Sequence, residues 1–269
     1  MTGDGYQMKT VPLLFLELID EDMELAKQES SGLFTLSYIL KRKPEFKHTE
    51  DSIGIFQLSN DCIILAVADG FGGQKSGDLA SKTAIQELSK ILKNSDPSRA
   101  REGILDAFES ANSLILEKLP GAATTLVVAE VQKEFVRFYH AGDSTGMLLG
   151  GGGKLKFRTI DHNPVGYGAE AGLVSGNEKT LEEIGHLVSN YLGSKELRVE
   201  VSIELERKPR DRVLLMSDGI SDNFNLEKEF PLSDPQVTCS HLCQSATDFS
   251  LQDENGKPDD MALIVLGLA

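Results

Sequence analysis

Apolar residues fall along this chain in two rhythms. Residues 62–68 (CIILAVA), 213–217 and 261–268 are continuous apolar runs, the mark of strands buried on both faces. Residues 33–40 and 53–58 read as strands flanking a charged turn that holds Glu50 and Asp51. Residues 124–131 and 135–140 pair across Gln132-Lys133-Glu134. Residues 145–149 and 155–159 form a second hairpin around the glycine tract 150–153, where positive φ costs little. Helical spacing appears at Ala80, Ala84, Leu88, Ile91 and Leu92. It appears again at Ile104, Phe108, Ala111 and Ile115, a helix announced by Asp96-Pro97 and ending near Pro120-Gly121. Residues 161–193 carry weak loop and helix signals, and the first 32 residues are poorly informative. Two helices in a hairpin-rich chain predict antiparallel sheets covered by helices, an α+β layered sandwich forming a single domain over 1–269.

Composition narrows the function. The 269 residues include 42 acidic and 27 basic side chains, for a net charge of -15. Binding a phosphate backbone needs clustered Lys and Arg, so nucleic acid is excluded as a partner. An acidic chain that handles phosphate must take its positive charge from elsewhere, and bound metal ions are the obvious source. Three cysteines, Cys62, Cys239 and Cys243, are too few for a disulfide scaffold and fit a reducing cytosol. Cys239, His241 and Cys243 lie close together, but no second ligand pair follows at zinc spacing; the two cysteines share one helical face instead. The apolar run 11–19 is short, is broken by Glu17 and lacks a cleavage site, so neither a signal peptide nor a membrane span is expected and the chain is placed in the cytoplasm.

Three aspartates share a placement. Asp69 and Asp218 stand where buried strands run out, and Asp259 stands where one begins. If the last strand is antiparallel to the others, all three carboxylates reach one edge of the core. Gathered there, they repel one another, and burying them is costly without a cation. Hard divalent ions such as Mg²⁺ or Mn²⁺ prefer oxygen ligands, and two of them sharing a carboxylate would polarise a phosphoryl group and generate hydroxide near neutral pH. Asp-Gly alone is a turn dipeptide; the repeated pairing of buried strand and acidic end is what a turn does not explain.

Glu50-Asp51-Ser52, Ala68-Asp69-Gly70-Phe71-Gly72-Gly73, Ala123-Thr124-Thr125, Ala141-Gly142-Asp143-Ser144, Asp161-His162-Asn163-Pro164, Ser217-Asp218-Gly219-Ile220-Ser221-Asp222 and Pro258-Asp259-Asp260-Met261 resemble, in order, the motifs of the protein phosphatase 2C family. The resemblance runs from about Leu33 to the end and is closest to compact bacterial members; residues 1–32 match poorly. It implies a four-layer α-β-β-α sandwich and a monomeric serine/threonine protein phosphatase acting on phosphoprotein substrates, away from membranes. It also implies two Mn²⁺ or Mg²⁺ ions. Asp69 would bridge both, with the Gly70 carbonyl, Asp218 and Asp259 completing one site and Glu50 and Asp51 serving the other. Asp143 and Asp222 match positions that can hold a third ion.

Three positions depart from the pattern. Phe46 stands where the family has an arginine that grips the substrate phosphate, leaving Arg42, Lys43 and Lys47 as nearby cations out of register. Phe71 stands where many animal members have histidine, and Asp260 where asparagine is usual. The missing arginine motivates a rival reading, a pseudophosphatase or regulatory binding module on the same fold. The retained aspartates argue for the enzyme. A nucleotide-binding P-loop over Asp69–Ser76 fails, because Gln74 and Asp69 occupy the positions where the motif needs glycine.

Overall fold

The computed structural model describes residues 14–71, 76–172, 187–224, 234–253 and 256–268. Its first sheet is built from β1 (Phe15–Ile19), β4 (Asp51–Ser59), β5 (Cys62–Phe71), β7 (Leu126–Val131), β8 (Phe135–Ala141) and β11 (Glu200–Val201) in that spatial order, with β6 (Ala123–Thr124) on β5 and β12 (Leu205–Glu206) on β8. The second sheet runs β10 (Leu155–Arg158), β9 (Thr145–Leu149), β13 (Arg212–Met216), β14 (Met261–Leu268), β3 (Phe34–Lys41), β2 (Lys27–Ser31). All the pairings are antiparallel.

The alternation of side chains along a strand sorts β5 between two cores. Ile63, Leu65 and Val67 face the second sheet, where they join Leu36, Met147, Leu214 and Leu263. Cys62, Ile64, Ala66 and Ala68 face the opposite way, against Ala84 and Leu88 of α1 (Gly77–Leu92) and Ile104 and Phe108 of α2 (Ala100–Lys118). That is why the 62–68 run shows no polar alternation. α3 (Pro164–Glu170) and α4 (Asp218–Ser221) are short. α5 (Pro235–Gln252) packs on β3 and β14 and closes the outer face of the second sheet, so the layers are helix, sheet, sheet, helix. Among the described residues, no helix is long and apolar enough to cross a membrane.

The structure amends the sequence reading in three places. A third long helix, α5, joins the two expected. Its buried positions include Thr238, Cys239, Cys243 and Ser250, which dilute the apolar stripe. The poorly informative start supplies edge strands β1 and β2; β2 (KQESS) is polar and mostly exposed, while β1 (FLELI) is largely apolar and half-buried. Asp96 does accept from the Ser98 N–H at 2.8 Å, but it caps a 3₁₀ turn (Pro97–Arg99) that runs into α2. Residues 72–75, which include Gln74 of the P-loop comparison, and 173–186, in the weakly patterned 161–193 stretch, lie outside the described residues.

Candidate active site

Both sheets contribute carboxylates to one edge. On the first, Asp51 opens β4 directly across from Asp69 on β5. β5 continues through Asp69 to Phe71, so Asp69 lies within a paired strand rather than after its end. On the second, Asp218 follows β13 and Asp259 precedes its antiparallel partner β14, with Met216 opposite Leu263. The antiparallel condition is met, and the three expected carboxylates converge with Asp51. Asp143, in the turn between β8 and β9, and Asp222, just past α4, flank Asp218.

Hydrogen bonds fix these groups from behind. The Asp69 N–H donates to Thr125 Oγ1 at 3.0 Å, and the Asp69 carbonyl accepts from the Thr125 N–H at 2.8 Å and Thr124 Oγ1 at 2.9 Å. Thr125 Oγ1 in turn meets Ser144 Oγ at 2.6 Å, tying the Asp69 strand to the turn that carries Asp143. Asp51 is 1% exposed and accepts from Ser217 Oγ at 2.6 Å, while that oxygen accepts from the Ala262 N–H at 2.9 Å. One hydroxyl thus pins the two sheets together at the site.

Asp260 clamps the loop before β4. Its two carboxylate oxygens accept from the Lys43 and Glu50 N–H groups, each at 2.6 Å. An asparagine offers one acceptor oxygen for the same pair, which gives the departure at this position a structural reason. Close backbone approach explains two glycines. A Cβ on Gly70 would fall 2.0 Å from the Gly77 carbonyl oxygen, where the start of α1 leans on the Asp69 strand. A Cβ on Gly219 would fall 1.9 Å from the Asp260 carbonyl.

The electrostatics are those of crowded carboxylates. Burial and the neighbouring charges of Asp218, Asp51, Asp143 and Asp259 hold Asp69 well above the usual carboxylate range. Asp51 is raised likewise by burial and by Asp260, against the Ser217 hydrogen bond. Burial, Asp259 and Asp222 lift Asp218 to about 6, and its carboxyl shares a hydrogen bond with Asp69. Asp143 rises to about 7 through burial, Asp218 and Asp161. Burial, Asp260 and Asp259 also raise Glu50. Ammonium groups are found at the rim, where Lys43 Nζ stands 3.6 Å from Asp259 Oδ1 and Lys257 Nζ 2.8 Å from Asp222 Oδ2. A set of oxygen donors that repel one another in the folded chain fits hard divalent cations.

His140, His162 and Glu200 also cluster, beside the Asp143 turn. His162 Nδ1 accepts from the Gly142 N–H at 3.1 Å and from Asn190 Nδ2 at 2.8 Å, so its proton sits on Nε2, facing Glu200 at 3.1 Å. The two imidazoles stack with centroids 4.3 Å apart and planes 22° from parallel, so their lone pairs do not converge. The trio braces the Gly142 turn and does not make a metal site. The roles of Thr125, Ser144, Ser217 and Asp260 were not assigned from the sequence, although each lies inside a quoted motif. For Ser144, Ser217 and Asp260 the signal available was a small hydroxyl or acid next to an acidic residue; Thr125 has no acidic neighbour in the sequence.

The protein phosphatase 2C family model matches residues 47–249. The serine/threonine phosphatase stp of Listeria welshimeri is 29% identical over 234 residues, 81% of this chain and 89% of the relative. The PPM Ser-Thr phosphatase MsPP from Mycobacterium smegmatis, solved in complex with cacodylate, superposes with a TM-score of 0.73 at 24% identity, covering 89% of this chain and 100% of that one. The catalytic domain of the phosphatase PstP, solved with two manganese ions, superposes with a TM-score of 0.67 at 22% identity, covering 88% and 98%. With carboxylates converging on one edge of a double-sheet sandwich and a family match across most of its length, this chain belongs to the protein phosphatase 2C family.

Proposed function

We propose that this chain is a protein serine/threonine phosphatase that hydrolyses phosphoserine and phosphothreonine monoesters with two Mn²⁺ or Mg²⁺ ions. Asp69 would bridge them, the Gly70 carbonyl, Asp218 and Asp259 would complete one site, and Glu50 and Asp51 would serve the other. Asp143 and Asp222 stand beside Asp218 for a weaker third. The observation that carries this reading is the convergence of Asp51, Asp69, Asp218 and Asp259, where burial and then mutual repulsion raise the pKa values of Asp51, Asp69 and Asp218. Bound divalent ions supply a Lewis acid for the phosphoryl oxygens and an attacking water acidic enough to ionise near neutral pH.

The chain's own part is to hold the ligands rigid. Ser217 orients Asp51, the Thr124-Thr125 pair fixes the Asp69 backbone, and Asp260 secures Glu50 through its N–H. The reading carries with it phosphoprotein substrates, a monomeric state and a cytoplasmic setting, the last supported by three buried, unpaired cysteines. Hydrolysis of p-nitrophenyl phosphate and of a phosphothreonine peptide, with and without Mn²⁺, tests it. Activity should appear with the metal, vanish on chelation, and be lost in Asp69→Asn, which is nearly isosteric and should fold. A folded wild-type chain that binds Mn²⁺ and hydrolyses neither ester would leave the binding-module reading in its place.

A further inference from the structure

A phosphate monoester approaching this edge meets carboxylates first, so the chain's cations there decide how well the anion is held. Residues 41–43 form a basic run at the end of β3, and their side chains part company. Lys41 Nζ donates to Thr247 Oγ1 on α5 at 3.1 Å. Arg42 turns toward the N-terminal segment, with Nη2 2.9 Å from Asp22 Oδ2 and Nη1 donating to the Lys47 carbonyl at 2.9 Å. Lys43 faces the acidic edge, with Nζ 3.6 Å from Asp259 Oδ1. That is beyond ordinary hydrogen-bond length, so the ammonium keeps its donors for another acceptor.

Two features hold Lys43 in this place. Its N–H is clamped by Asp260 Oδ1, the carboxylate that also clamps Glu50. Its ammonium sits 5.3 Å over the ring centroid of Phe46, which is 58% exposed and so is no part of the core. An aromatic face under a lysine restrains it without using up its hydrogen-bond donors. Among the described residues, Lys257 is the other ammonium paired at the rim, 2.8 Å from Asp222 Oδ2.

Given the phosphatase reading above, on which this rests, we propose that Lys43 is the side chain that binds the substrate phosphate, with Phe46 as its platform and Asp260 as its anchor. When divalent ions neutralise Asp259, its hold on the ammonium weakens and Lys43 becomes available to a phosphoryl oxygen. Lysine acts as a point charge, where an arginine would offer a fork.

Lys43→Met, Lys43→Arg and Lys47→Met separate this from a structural role. Three quantities are read for each: KM and kcat with p-nitrophenyl phosphate, the Kd of inorganic phosphate for the Mn²⁺-loaded protein by calorimetry, and Mn²⁺ affinity by paramagnetic resonance titration. Lys43→Met should raise KM and the phosphate Kd about tenfold, the low end for a hydrogen bond to a charged group. It should leave kcat within about twofold and Mn²⁺ affinity equal or tighter, because a cation competing for Asp259 is gone. Lys43→Arg should keep phosphate affinity, and Lys47→Met should match wild type in all three. Unchanged phosphate affinity in Lys43→Met, in a wild-type background that binds Mn²⁺ and turns over, would overturn the assignment. So would a parallel loss of Mn²⁺ affinity, which would make Lys43 a structural residue. A wild-type chain that binds no Mn²⁺ would overturn the phosphatase reading itself, and this assignment with it.

Discussion

Asp143→Asn probes whether the site is built for cations that the chain does not itself provide. In the unfolded chain Asp143 has the ordinary value of 3.8; folding raises it to about 7, first through burial and then through the charges of Asp218 and Asp161. Between these values the unfolded state holds fewer protons than the folded one. Metal-free stability therefore falls as pH rises through this window and stays low above it. A gap of roughly three pKa units at about 1.4 kcal/mol each sets a ceiling of about 4 kcal/mol. Because Asp143 and Asp218 repel each other, removing one charge also relaxes the other, and the effects of neighbours do not add; about 2–4 kcal/mol is the expected gain for asparagine. At about 2–4 °C per kcal/mol for a chain of this size, metal-free Asp143→Asn should melt roughly 4–16 °C above wild type at pH 8. The difference should shrink toward zero as the pH falls to 4. Thermal melts of chelator-treated protein across pH 4–8 measure it, and excess Mn²⁺ should narrow the gap at pH 8 by giving the wild-type carboxylates a partner. A difference that does not vary with pH, or a wild type that outlasts the variant at pH 8 without metal, would refute the electrostatic account.

Two further substitutions test the frame around the site. Gly219→Ala would place a methyl group 1.9 Å from the Asp260 carbonyl, so Asp218 and the Asp259-Asp260 pair must move apart. A loss of about 1–3 kcal/mol and weaker Mn²⁺ binding should follow, and unchanged melting and metal titration would show that the contact yields freely. Phe46→Leu replaces an exposed ring, so the melting temperature should move by no more than about 2 °C, in line with a surface change of about 0.5 kcal/mol, while KM for p-nitrophenyl phosphate rises because Lys43 loses its platform. A large drop in melting temperature would mean that the ring supports the loop as well as Lys43.

Much of this protein is legible in its sequence because the signals are local. The unbroken apolar run of β5, the helical spacing in α1 and α2, and the glycine tract between β9 and β10 each reflect a constraint acting within a few residues. The motif series that ends in aspartates could be read the same way, since each acidic residue is set by the strand beside it. α5 was less legible because its buried face includes threonine, cysteine and serine, whose burial depends on what lies opposite. The edge strand β2 was hidden for a related reason: its residues are all polar, and only its backbone pairing with β3 makes it a strand.

Only the tertiary structure decided which groups share the site and what each supporting residue does. Asp51 and Ser217 are 166 residues apart, and Lys43 and Asp260 are 217 apart, yet each pair meets within hydrogen-bond reach. No spacing rule connects them, because the first contact is made by the stacking of the two sheets and the second by the antiparallel pairing of β3 with β14. The pKa values of Asp143 and Asp218 likewise belong to the assembled cluster, since burial and neighbouring charge do not exist until the sheets meet. The choice among Arg42, Lys43 and Lys47 turned on side-chain direction around one loop, which composition cannot encode. Sequence determined the carboxylates and the strands that carry them; the packing of the sheets determined which cation faces them.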